Sequence, residues 1–137
     1  PLACAAAVAS IQIFEDEDVL GHVRMLGEEV IGPELAKIAD KHPSVGEVRG
    51  LGVFWGLELV TDRDTRAPLV PYNASGAAAK PMLDFAGACK AQGLWPFTHF
   101  NRTHVVPPCT TSVEEVHEGL AILDDALTVA DSYYTGS

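Results

Sequence analysis

The chain has 137 residues, 47% of them hydrophobic, and a formal net charge of −10. That length allows one domain with a real core but not two large ones, and the composition argues for a globular chain over a disordered one. The negative charge speaks against nucleic acid as a partner, because phosphate binding needs clustered Lys and Arg.

The chain begins with Pro1 rather than Met and runs at once into LACAAAVASIQIF, a helix already under way. It reads as a piece of a longer polypeptide, made or natural. Pro1–Phe14 is predicted to be helical, with Pro1 in the first turn, where a missing N–H costs nothing. Alanine on every face suggests close packing against a body outside this chain, because an Ala-rich helix of this length is marginal alone in water. No positively charged region precedes Pro1–Val8, so it is not a secretory signal. No apolar run approaches the roughly 20 residues needed to cross a bilayer. Cys4, Cys89 and Cys109 are widely spaced and odd in number, which suggests reduced thiols and a cytoplasmic protein.

Glu15–Asp18 is an acidic step that suits a helix N-terminus. Val19, Val23, Leu26, Val30, Leu35 and Ile38 then follow at helical spacing, which predicts an amphipathic helix to His42. Pro33 inside it predicts a kink near Gly32, and Pro43 ends it. Val45–Arg49 and Val53–Val60 are predicted strands. In the second, Val53, Trp55, Leu57 and Leu59 point one way and Phe54, Gly56, Glu58 and Val60 the other. Gly50 and Gly52 predict a turn or bulge between them. Thr61–Ser75 reads as a long polar loop, and Pro81–Gln92 as a helix burying Met82, Phe85 and Cys89. Leu94–Phe97 and Thr103–Val106 are candidate strands. A last helix starts at Thr111 or Ser112 with a capping box to Glu114 or Glu115. It buries Val113, Val116, Leu120, Leu123, Leu127 and Ala130. Tyr133–Ser137 is predicted to fray. This order predicts an α+β fold, a small antiparallel-rich sheet of three to four strands covered by helices.

Several residues carry possible chemistry. Gly50, Gly52 and Gly56 resemble a phosphate-binding glycine pattern, but such a pattern must open a helix, and here a strand follows. His99, His104, Cys109 and His117 show no metal-ligand spacing, and His117 falls on the helix face away from the stripe. Lys37, Lys41, Lys80 and Lys90 occupy polar helix positions or helix ends, which do not lower a lysine pKa as a Schiff base requires. Arg102, in FNRTHVVPP, stands between aromatic residues and a candidate strand. It either clamps a substrate carboxylate with two hydrogen bonds or pairs at the surface with one of the many acids. Arg49 is expected to pair with a carboxylate. Taken alone, these residues offer no catalytic set.

Three blocks in order, PLACAAAVASIQIFEDEDVL, HPSVGEVRGLGVFWGLELV and HVVPPCTTSVEEVHEGLAILDDAL, cover nearly the whole chain. Together they resemble the C-terminal part of the class III pyridoxal-phosphate-dependent aminotransferases. WPFTHFNRTHVVPP is similar to the subgroup that includes taurine–pyruvate transaminases. The resemblance implies residues 1–14 as a helix leading from a missing large domain and residues 15–137 as a C-terminal small domain. It implies transfer of an amino group from an amino acid or ω-amine donor to a keto acid, in a homodimer. The Schiff-base lysine would lie upstream of Pro1, so the chain itself would supply no catalytic or cofactor-binding residue and would be inactive alone. Arg102 matches the region where several members place a carboxylate-binding arginine. A stand-alone α+β small-molecule-binding or dimerisation module remains the alternative.

Overall fold

The structure, a computed structural model, describes residues 1–136. Helix α1 spans Leu2–Asp16, two residues longer than expected at its C-terminal end, and buries none of its residues. Leu2, Val8 and Ile11 remain 86%, 68% and 63% exposed, so the helix has no apolar partner among the described residues. Asp18 breaks the chain with a left-handed backbone (φ 45°) and caps α2 (Val19–Met25) by accepting a hydrogen bond from the Gly21 amide.

The expected single kinked helix is three segments. After α2 the chain widens into a π-helical turn, Leu26–Ile31, and then tightens into α3, Gly32–Lys41. The Gly32 amide reaches back five residues to the Gly27 carbonyl. Pro33 explains the location: it has no N–H to offer, and its ring would press on a carbonyl four residues back in a regular helix. The wider turn just before it relieves that conflict. The predicted stripe is buried at Val19, Leu26, Val30, Leu35 and Ile38, and Val23 is half-buried against the same core.

Strands β1 (Val45–Leu51) and β2 (Phe54–Asp62) form an antiparallel hairpin with Leu51 opposite Phe54. The turn is Gly52–Val53, and Gly52 takes the positive φ of 56° that only glycine adopts freely. Gly50 lies inside β1 instead, opposite Trp55, and the irregularity in register falls at Val45–Glu47. Trp55 covers Gly50 and Gly32, and its Nε1 donates to the Gly52 carbonyl at 2.7 Å.

Three expectations need correction. The 61–75 segment is not simply a loop: Ala67–Pro68 forms a short strand β3 on β2, and Leu69 and Val70 are buried in the core. After a 3₁₀ turn at Gly76–Ala79, α4 runs from Lys80 to Ala91. The next strand is not Leu94–Phe97 but β4, Phe97–His99, followed by β5, Arg102–Val105. Pro96 cannot donate to a ladder, so pairing starts after it. Finally, residues 133–136 are tied down. The amides of Thr135 and Gly136 both donate to the Thr61 carbonyl, and the Tyr133 hydroxyl donates to Asp84. Ser137 lies outside the described residues.

The last helix, α5 (Val113–Asp131), has the predicted capping box between Ser112 and Glu115. The sheet order is β1-β2-β5-β4 with β3 on the end of β2, antiparallel throughout and one strand larger than expected. The core joins Leu57, Leu59 and Val45 of the sheet to Leu26, Leu35, Phe85, Leu120 and Leu127 of the helices. Thr103, opposite Leu57, is buried on that same side. Because alternate residues face opposite ways, Glu58, Arg102 and His104 point to the other sheet face, away from the helical core formed by the described residues. Among the described residues no helix is long and apolar enough to cross a membrane.

Candidate functional site

The sheet face away from the helical core follows from the register. One row across it is Glu47, Glu58, Arg102 and His99; the next is Arg49, Gly56, His104 and Phe97. Arg102 therefore stands on the open face, directly opposite Glu58, its obvious partner. Glu58 is already taken. Arg49 reaches diagonally to it at 2.7 Å and to Glu47 at 3.5 Å, as expected of Arg49. The guanidinium of Arg102 instead donates from Nη2 to His99 Nδ1 at 3.3 Å. Among the described residues, Arg102 is within ion-pair distance of no carboxylate, although the chain holds 19 Asp and Glu.

The turn between β4 and β5 is Phe100–Asn101. Phe100 has φ of 53°, in the left-handed region. Its ring centroid is 3.9 Å from that of His99 and 4.4 Å from that of Tyr72, in the 61–75 segment. Asn101 fastens the turn to β2: the Leu59 amide donates to the Asn101 carbonyl at 2.7 Å, and Asn101 Nδ2 donates to the Leu59 carbonyl at 3.0 Å. The sequence singles out Arg102 but does not show that His99, Phe100, Tyr72 and Glu58 surround it. A hairpin signal at FNRT would have paired His99 with Arg102; nothing local announces Tyr72.

The other candidates are scattered. His104 is wedged between Phe54 and Phe97, with its Nδ1 buried and unpartnered. His117 is exposed on α5, and no three His, Cys, Asp or Glu side chains converge as a metal site among the described residues. Gly52 and Gly56 belong to a turn and a strand, so they open no helix onto a phosphate. Cys4, Cys89 and Cys109 are free thiols, and burial pushes the Cys89 thiol up to about 11, which keeps it inert.

The four lysines do not fit a pyridoxal phosphate Schiff base. Lys37 pairs with Glu34 at 2.6 Å, Lys41 pairs with Asp124 at 2.5 Å, and Lys90 lies 4.2 Å from the ring centre of Trp95. Hydrogen bonds to Asp84 and then to Tyr133 raise the Lys80 pKa, the opposite of what an amine nucleophile needs.

The fold matches solved aminotransferases. The structure of taurine:2-oxoglutarate aminotransferase from Bifidobacterium kashiwanohense, in complex with PLP and glutamate, superposes with a TM-score of 0.85 at 31% identity, over 96% of this chain and 28% of that one. Residues 1–127 match the family Aminotransferase class-III, and the chain belongs to that family of pyridoxal-phosphate-dependent enzymes. It is 34% identical over 133 residues to taurine–pyruvate aminotransferase of Bilophila wadsworthia, covering 95% of this chain and 28% of that protein. It is 31% identical over 129 residues to ethanolamine-phosphate phospho-lyase homolog 1 of Caenorhabditis elegans, covering 94% of this chain and 26% of that protein. The chain thus spans little more than a quarter of the length of these relatives.

Proposed function

We propose that this chain is the C-terminal part of an aminotransferase that moves an amino group from an amino acid or ω-amine donor to a keto acid. Pyridoxal phosphate and its lysine belong to polypeptide outside residues 1–136, and the complete protein works as a homodimer in the cytoplasm. The exposed apolar residues of α1 support a covering body on that side. The task of this chain is to shape the pocket and hold the acid group of the substrate. The observation that carries this reading is Arg102, an arginine on an open sheet face whose neighbouring carboxylate is occupied by Arg49. A guanidinium offers five N–H donors in a planar fork, and His99 uses only one. Two relatives have taurine in their names; a sulfonate presents the same kind of oxygen acceptors as a carboxylate, so Arg102 suits either.

The test is an amine-donor screen on the complete polypeptide, with and without Arg102→Ala. A charged hydrogen-bonded contact is worth about 1.5–3 kcal/mol, so KM for donors and keto acids bearing an acid group is expected to rise about 10- to 100-fold. Amines without an acid group should change less than about twofold. Equal effects on both classes would remove Arg102 from the site. Release of free ammonia without amino transfer would place the protein with the lyases of the family instead.

A second expectation concerns the chain itself. Incubated with pyridoxal phosphate and then borohydride, residues 1–137 should show no fixed adduct beyond that of an unrelated acidic protein. Mass spectrometry locating a stoichiometric adduct on Lys37, Lys41, Lys80 or Lys90 would overturn the division of labour proposed here.

A further inference from the structure

We propose that Tyr72, Phe100 and His99 form a positioning stack that holds the Arg102 guanidinium in one orientation for the acid group of the substrate. This rests on the reading of Arg102 above and extends it to residues that never touch the acid.

The argument starts from strain. The β4–β5 turn is two residues long, and its first residue, Phe100, adopts φ of 53°. Glycine or asparagine would take that conformation at little cost, and a bulky aromatic does not. An asparagine is present, but it occupies the next position, where its side chain fastens the turn to Leu59. The turn is thus held firmly enough to impose the strained conformation on Phe100. What the phenyl ring gains is contact with two other rings, His99 and Tyr72.

Tyr72 is 82% exposed, so it is not placed there by burial. It follows Leu69 and Val70, which are buried and fix the segment to the core. The stack therefore runs from an anchored segment through Tyr72 and Phe100 to His99, and His99 Nδ1 accepts a hydrogen bond from Arg102. The acceptor matters. A carboxylate here would neutralise the guanidinium and compete with substrate; an imidazole nitrogen orients it and leaves its charge available. Arg49 completes the arrangement by holding Glu58 away. His99, Phe100 and Tyr72 are positioning residues, and Arg102 alone contacts the acid.

The experiment compares four variants of the complete enzyme: Arg102→Ala, His99→Ala, His99→Asn and Phe100→Gly. His99→Ala and Phe100→Gly are expected to raise KM for acid-bearing substrates about 3- to 10-fold with kcat within about twofold, as loss of orienting contacts should. His99→Asn keeps an acceptor near the place of Nδ1 but loses the ring contact with Phe100, so it should recover part of the KM loss of His99→Ala and not all of it. Phe100→Gly relieves the backbone strain, so its melting temperature should hold or rise while its KM worsens; a purely structural Phe100 would not separate the two. On residues 1–137 alone, the NMR signals of the Arg102 guanidinium should show slowed rotation that His99→Ala abolishes and His99→Asn keeps in part. If Arg102→Ala raises the acid KM while His99→Ala and Phe100→Gly leave it and the guanidinium signals unchanged, the stack is refuted and the reading of Arg102 stands. If Arg102→Ala itself has no acid-specific effect, that reading fails and the stack fails with it.

Discussion

Gly27→Ala is expected to lower stability by about 3 kcal/mol or more, out of the roughly 5–15 kcal/mol a domain of this kind possesses. Gly27 is buried in the π-helical turn, and a Cβ there would lie 2.4 Å from the carbonyl oxygen of Gly52, 2.7 Å from its Cα and 2.8 Å from its carbonyl carbon. All three are backbone atoms, so no rotamer change can clear the clash; the helix and the β1–β2 turn would have to separate. That turn is also bound from the other side, since Trp55 donates to the same Gly52 oxygen. Moving it would strain the hairpin that carries one side of the candidate site. The melting temperature should fall by about 10 °C or more. Gly87→Ala is the control: it lies inside α4, a Cβ there would meet nothing within 4 Å, and the change should stabilise slightly through helix propensity. A Gly27→Ala protein melting within a few degrees of the wild type would show that the two backbones are not in the contact described.

That contact also marks where the sequence stops being informative. Helical stripes and the alternating strand are written in local spacing, so α4, α5 and the β1–β2 pair are legible from residues such as Met82, Phe85, Leu120 and Leu57. Even the π turn leaves a trace, because Pro33 signals that a regular helix cannot pass. The role of Gly27 leaves none: a glycine on a helix says nothing about which backbone presses on it. Strand β4 starts only at Phe97, because Pro96 cannot join a ladder, and Trp95 before it stands 81% exposed. In the 61–75 segment, prolines flank Leu69 and Val70 and hide two core residues in a polar stretch. At the site, Arg102 was visible as an unusual residue among aromatics. Its availability was not, since that depends on Arg49 capturing Glu58 across the sheet, a fact of register and not of sequence.

The same limit applies to His42, where the second large effect is expected: His42→Ala should cost about 3 kcal/mol at neutral pH. The ring is almost wholly buried, and its Nδ1 lies 2.6 Å from an oxygen of Asp131 and its Nε2 2.9 Å from an oxygen of Asp124. Each ring nitrogen thus faces one carboxylate of α5, and the ring bridges to that helix at two points. The other Asp131 oxygen accepts from Ser44 Oγ at 2.6 Å, and the His42 carbonyl accepts from Arg63 at 2.7 Å. Removing the imidazole leaves Asp131 and Asp124 partly buried beside a void, so both lost hydrogen bonds and lost packing contribute. The pH dependence separates the two. Burial pushes the Asp124 carboxyl up, but hydrogen bonds from Lys41 and His42 outweigh this and hold it below its ordinary value of 3.8. A carboxylate with a depressed folded-state pKa gives stability that is present above its unfolded value and lost as pH falls through the folded one. His42→Ala removes part of that contribution, so the gap between wild type and variant should be wide at pH 7 and 5 and should narrow below about pH 3.8. Urea unfolding at pH 7, 5 and 3 measures it. A gap of the same size at all three would mean that His42 acts by filling space alone, and that its two carboxylates are neighbours rather than partners.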